Sequence, residues 1–193
     1  MAALKILVVP GSLRTGSYNA QLAAAAIKEL ALADVDATLI SLGDYPLPIY
    51  GGDIEANSGA PNAAVDLKNM IGAHHGVFIV SPEYNSSVPP LLKNAIDWVT
   101  RVRERGEPLG QVFRERAFAI GAASNGKFGG VRVLMALRQI LTLGCGATVI
   151  PKQVALSRAA EAFDEMGTLK DPNDADLLRG AMRQLIDVAQ RMM

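Results

Sequence analysis

The chain has 193 residues, half of them hydrophobic, and nineteen Lys and Arg balance nineteen Asp and Glu; this suits one α/β domain over residues 1–193 and leaves no electrostatic footprint for nucleic acid or an anionic membrane surface. One cysteine, Cys145, excludes an internal disulfide or a cysteine-based metal site. With no charged leader before an apolar core and no apolar run near the roughly 18 residues of a membrane span, a cytoplasmic protein with a small-molecule partner is expected.

Leu4 to Val9 is a continuous, β-branched apolar run, the pattern of a strand buried on both faces of a parallel sheet. Val8 to Asn19 then reads Val-Val-Pro-Gly-Ser-Leu-Arg-Thr-Gly-Ser-Tyr-Asn and hands over to an alanine-rich helix at Gln21 to Ala33, with Tyr18, Leu22, Ala26 and Leu30 spaced by four. Asp36 to Ser41 supplies a second strand. Leu42 to Pro61, rich in proline and glycine, reads as a long functional or mobile loop. Pro61 opens a helix to Ile71, and Gly76 to Ser81 is a third buried strand. His74 and His75 lack a second ligand cluster and read as solvated or helix-terminal histidines, with no metal expected.

Ser81 to Val88 is a loop, and Pro89 to Val102 a helix apolar over most of its girth. The charged stretch Arg101 to Arg116 reads as a solvated crossover with a short helical turn around Gln111. Ala117 to Ala123 is a fourth strand, Ser124 to Gly130 a polar glycine-rich loop, and Val131 to Leu143 another broadly apolar helix. Ala147 to Ile150 is a fifth strand cut by Pro151. A helical piece at Arg158 to Glu165, a turn at Gly167 and a last helix capped near Asn173 complete the chain.

Alternating strands and helices predict an α/β fold: a doubly wound five-stranded parallel sheet, order 2-1-3-4-5, with helices on both faces. The unusual loops follow the first, third and fourth strands and therefore meet at the carboxyl ends of the sheet, where such folds bind ligands. The first loop offers helix N–H groups, hydroxyls at Ser12 and Ser17, the Asn19 carboxamide and the Arg14 guanidinium. It suits a phosphate monoester, and it equally suits a simple βα turn capped by Ser17. It has neither the spacing of an NTPase phosphate loop nor that of a dinucleotide fold. The second loop, Pro82-Glu83-Tyr84-Asn85-Ser86-Ser87, presents an aromatic, an amide and backbone N–H groups that suit a flat heteroaromatic ring, or an ordinary turn.

Gly11-Ser12-Leu13-Arg14-x-x-Ser17-x-Asn19, with Pro82-Glu83-Tyr84-Asn85-x-Ser87-x-Pro89 and Leu92-Lys93-Asn94-Ala95-Ile96-Asp97-Trp98, resembles the NADPH-dependent FMN reductase family of flavodoxin-like proteins, nearest its quinone, chromate and azo reductase branch. The resemblance spans roughly Ile6 to Thr148. It implies FMN with its phosphate at Ser12, Arg14, Ser17 and Asn19, with Tyr18 also among the cofactor-binding residues, and its isoalloxazine beside Pro82, Glu83, Tyr84 and Asn85. Ser124 matches a flavin-contacting serine and Gly126 is its neighbour. Pro90 stands where the family often has glycine, and the Arg101 to Arg116 crossover is longer and more charged than usual.

The flavin would carry the chemistry, so no catalytic side chain or metal of the protein's own is expected. NADPH or NADH would reduce the flavin and a small acceptor (a quinone, flavin, azo compound or chromate) would take two electrons. Glu83 reads as positional, since hydride transfer to flavin N5 needs no carboxyl proton donor. The two broadly apolar helices are expected to face each other and build a homodimer or homotetramer. A flavodoxin-type electron carrier or a flavin-linked redox sensor is the alternative; a carrier would be strongly acidic, and this chain is neutral.

Overall fold

The computed structural model describes residues 3–104 and 106–193. Five parallel strands run β1 (Lys5–Pro10), β2 (Asp36–Leu39), β3 (Gly76–Val80), β4 (Ala117–Ala123) and β5 (Thr148–Leu156), ordered β2-β1-β3-β4-β5. The expected flavodoxin-like sheet is thus formed, its switch point between β1 and β3. Side chains alternate along each strand and supply two cores. Leu7, Val9, Val77, Ile79, Phe118 and Ile120 face α3 (Asn62–Gly72), α4 (Pro90–Arg101) and α6 (Val131–Gln139). Ile6, Val8, Phe78, Val80 and Ala119 face α1 (Tyr18–Leu32) and α7 (Pro172–Met192). No helix among the described residues is long and apolar enough to cross a membrane.

Several boundaries differ from the sequence reading for local reasons. Helix α1 begins at Tyr18 rather than Gln21, because the Ser17 hydroxyl accepts the Ala20 N–H and starts the helix three residues earlier. Strand β5 runs through Pro151 to Leu156. It is an edge strand, and its register with β4 shifts between Phe118 and Ile120, so the missing proline N–H falls where the ladder is already irregular. Arg158 to Glu165 forms turns rather than a helix, closed by a bridge from Phe163 to Leu169. The last helix is capped by Asp171, whose Oδ1 accepts the Asn173 N–H, with Pro172 at the first helical position. After α6 the chain makes a π-helical turn at Ile140–Gly144. The expected turn near Gln111 is α5 (Gln111–Arg114), which buries Val112 and Phe113; Arg105, in the same crossover, lies outside the described residues. His74 is buried rather than solvated, bonded at Nδ1 to the Met70 carbonyl (2.7 Å) and at Nε2 to Thr38 Oγ1 (3.0 Å).

The long loop after β2 holds a 3-10 turn (Leu42–Asp44) and α2 (Gly52–Ser58), and it answers the question raised by α4. That helix presses Leu92, Ala95, Ile96 and Val99 into the core beneath it. The Trp98 ring is fully buried and donates its indole N–H to the Pro48 carbonyl at 2.7 Å, with Tyr50 edge-on to it at 5.1 Å. Asn94 works beside it, its Oδ1 accepting the Tyr50 N–H (2.8 Å) and its Nδ2 donating to Pro48 (2.9 Å). The second partner that α4's apolar girth demands is therefore found within the chain, and that girth alone does not require another subunit.

Glu55 fastens the far end of this segment, accepting from the Tyr50 hydroxyl at 2.8 Å and from Arg101 Nε at 2.9 Å on both oxygens. The Tyr50 hydroxyl, and then Arg101, hold the Glu55 carboxyl below its ordinary value of 4.5. A lowered carboxyl pKa stabilises the fold above the unfolded value and ceases to do so as pH falls through the folded one. Residues 52–58 are therefore expected to loosen as pH drops below 4.5, while residues 48–50, held by groups that do not titrate there, stay in place. Hydrogen exchange across that range, corrected for intrinsic rates, checks this: equal protection of both segments at every pH contradicts it.

Candidate functional site

The first loop leaves β1 at Gly11, whose N–H donates to the Val80 carbonyl of neighbouring β3 at 2.8 Å. Its base is buried and its tip, Leu13 to Gly16, exposed. Ser12 Oγ accepts the Arg14 N–H at 3.3 Å and so shapes the turn. The Arg14 guanidinium lies 5.4 Å from the centre of the Tyr18 ring and donates only to the adjacent Thr15 carbonyl; no carboxylate pairs with it among the described residues. Ser17 is buried beneath the turn as the cap of α1.

Asn19 holds a different position from its neighbours. Its buried carboxamide accepts the Ala123 N–H (2.9 Å) and donates to the Ala123 carbonyl (3.0 Å), bracing the first turn of α1 against the last residue of β4. One residue beyond, the third loop begins. Ser124 Oγ accepts the Gly126 N–H at 3.1 Å. Asn125 Nδ2 donates to the Tyr18 hydroxyl (3.3 Å) while its Oδ1 accepts the Ala160 N–H (2.8 Å), linking first loop, third loop and the chain after β5. Gly129 and Gly130 close the loop at φ 58 and 82; a Cβ on Gly129 would stand 2.8 Å from the Ala155 backbone, and one on Gly130 2.7 Å from the Ala122 methyl.

The second loop is a two-residue hairpin. Tyr84 and Ser87 exchange both backbone hydrogen bonds, 3.0 and 2.9 Å, around Asn85 and Ser86 at φ 49 and 65, a type I′ arrangement. Pro82 stands at its base, half-buried, and Tyr84 projects with half its surface exposed. Glu83 turns aside, its Oε2 accepting the Val133 N–H of α6 at 3.2 Å and its Oε1 lying 3.3 Å from Arg132 Nη1.

Three helix N-termini meet at this end of the sheet, and they are not equivalent. Helix α4 opens on Pro89 and Pro90, which have no N–H to give. Helix α6 has one of its N–H groups taken by the Glu83 carboxylate. Helix α1, which like the other two has no acidic residue in its first turn, is capped by the neutral Ser17 hydroxyl and carries Arg14 beside it, with no carboxylate partner among the described residues. The positive end of a helix and a free guanidinium favour a dianion at this one corner, which is the donor set a phosphate monoester requires. The flat, exposed hairpin about Tyr84 and the Ser124 to Gly126 turn lie on the adjoining loops.

The model of the family described as NADPH-dependent FMN reductase matches residues 4–161. The chain belongs to that family. An NAD(P)H-dependent FMN reductase of Pseudomonas aeruginosa is 35% identical over 94% of this chain and 93% of its own. The quinone reductase of Escherichia coli strain K12 is 32% identical over 98% and 97%. Among solved structures, the flavoenzyme NAD(P)H:(acceptor) oxidoreductase FerB from Paracoccus denitrificans superposes with a TM-score of 0.80 at 29% identity, covering 98% of this chain and 99% of its own. The family model thus spans all three loops as well as the sheet.

Sequence reasoning did not single out Asn125 or Arg132, nor the bracing by Asn94 and Trp98. Spacing of four between Asn94 and Trp98 places them on one face of α4, which was a readable signal. Asn125 and Arg132 had none, since their partners come from distant segments. The left-handed conformation of Ser86 generates a prediction: type I′ turns favour glycine at the second central position, so Ser86→Gly should stabilise the protein by about 1 kcal/mol. Thermal unfolding reads it, and a lowered midpoint would show that the serine is not strained there.

Proposed function

We propose that the protein is an FMN-dependent NAD(P)H oxidoreductase that passes two electrons from a reduced nicotinamide to a small acceptor such as a quinone. The observation that carries this reading is the phosphate corner at α1, where Arg14 has no carboxylate partner among the described residues and the helix start is free of acidic residues, next to an exposed aromatic hairpin. Relatives bearing the names FMN reductase and quinone reductase over more than nine-tenths of both chains support it.

In this reading Ser12 and Arg14 donate to the FMN phosphate, together with the N–H groups opening α1. Ser17 already accepts from Ala20, yet its hydroxyl proton is free to donate. Tyr18 supports Arg14 from below with its ring. Asn19 fixes the helix start on which those donors sit, acting through Ala123. Pro82, Tyr84 and Asn85 of the second loop and Ser124 and Gly126 of the third would border the isoalloxazine, while Glu83, turned toward α6, holds the second loop in place. Bound FMN supplies the electron-transfer chemistry, and the chain holds it, orients it and shields its ring from water.

The protein acts in this proposal as a single domain, in the cytoplasm, and as a homodimer or homotetramer. Phe128, Met135 and Leu143 are exposed apolar side chains on and after the third loop and suit a subunit contact. Cys145 is buried, its thiol pushed up to about 11 mainly by that burial, which keeps it an inert thiol in a reducing setting.

The visible spectrum of the protein saturated with FMN tests the reading. Anaerobic NADPH should bleach the flavin band rapidly, and a quinone should restore it in full. A bound flavin that NADPH leaves oxidised would instead indicate a carrier or sensor, and no flavin binding would end the proposal. Arg14→Ala should weaken FMN binding about 10- to 100-fold, the worth of one charge-assisted phosphate contact. Fluorescence titration of the free flavin reads that loss.

A further inference from the structure

Glu83 stands at the entrance of the Tyr84–Ser87 hairpin, yet its carboxylate is spent on another element. Helix α6 begins at Val131 after the cap residue Gly130, which has no side chain with which to cap it, and the close approach of Gly129 to Ala155 and Gly130 to Ala122 leaves room for none. The orphan Val133 N–H at its third position is met by Glu83 Oε2 from fifty residues away. The second contact, with Arg132, is of another kind. Arg132 keeps 52% of its side-chain surface exposed and lies against the Phe128 ring at 5.3 Å, so this ion pair is screened and loosely held.

We propose that Glu83 is a positioning residue: by capping α6 from the second loop it fixes the hairpin relative to the third, and hydrogen-bond acceptance, not charge, is what it supplies. The proposal rests on the FMN-reductase reading for the meaning of that placement. A cap requires an oxygen within reach of the Val133 N–H. Glutamine at position 83 keeps the reach and loses the charge, whereas aspartate keeps the charge and is one methylene too short. The two substitutions separate the roles without emptying the site.

Hydrogen exchange of the flavin-free protein, followed in residues 84–87 and 131–134, gives a readout independent of activity. In Glu83→Asp both segments should exchange about tenfold faster, the worth of one lost hydrogen bond, while Glu83→Gln stays within about threefold of the parent. On the enzyme, Glu83→Asp should raise the FMN dissociation constant and the acceptor KM by about tenfold with kcat changed less than threefold, and Glu83→Gln should match the parent at every pH. Unchanged exchange in Glu83→Asp overturns the proposal, as does a Glu83→Gln variant that loses kcat, because the charge or proton would then be what matters. Failure of NADPH to reduce the flavin in the parent protein would strike the function reading and leave the exchange result standing.

Discussion

The double hydrogen bond between the Asn19 carboxamide and the Ala123 backbone is the constraint on which the ligand face depends. A parallel sheet delivers its loops to one end, but it does not fix the helices that follow them to loops arriving from other strands. Asn19 does this in a fully desolvated place, where leaving either amide atom unpaired would cost about 1–3 kcal/mol. Because it sits in the first turn of α1 and grips the last residue of β4, the N–H groups that open the helix and the turn at Ser124 keep a fixed separation. Asn125 extends the same brace through Tyr18 and Ala160.

Electrostatics then distinguish positions that topology alone makes equivalent. Each parallel strand in such a fold is followed by a helix whose positive end faces the ligand. Here prolines blunt one of these ends, Glu83 occupies another, and α1 keeps its field and gains Arg14. Neutral overall charge is compatible with this arrangement because the selectivity is local, set within a single helical turn.

Much of the architecture was legible in the chain. Continuous apolar runs at Leu4 to Val9, Gly76 to Ser81 and Ala117 to Ala123 fall on β1, β3 and β4, because a strand covered on both faces must be apolar throughout. The three unusual loops were placed correctly for the same reason. What was missed depends on partners distant in sequence. Pro151 reads as a strand breaker unless one knows that its strand is at an edge and bulged. The broad apolar girth of α4 reads as an interface until residues 45–58 are seen folded over Trp98. Within the site, Ser17 could be read as a cap from its place before an alanine-rich run, whereas the commitment of Asn19 to β4 and of Glu83 to α6 is long-range and leaves no local mark.

The two borders of the sheet carry a consequence for how the molecule meets its own kind. An open parallel sheet offers a row of unpaired backbone groups at each side, a template for adding foreign strands and, at high concentration, for aggregation. On one side β2 is only four residues long. On the other β5 breaks its own pattern with Pro151, followed by the exposed Lys152, midway along its length. Both borders therefore disfavour extension of the ladder into a second molecule, so the sheet's own edges work against aggregation.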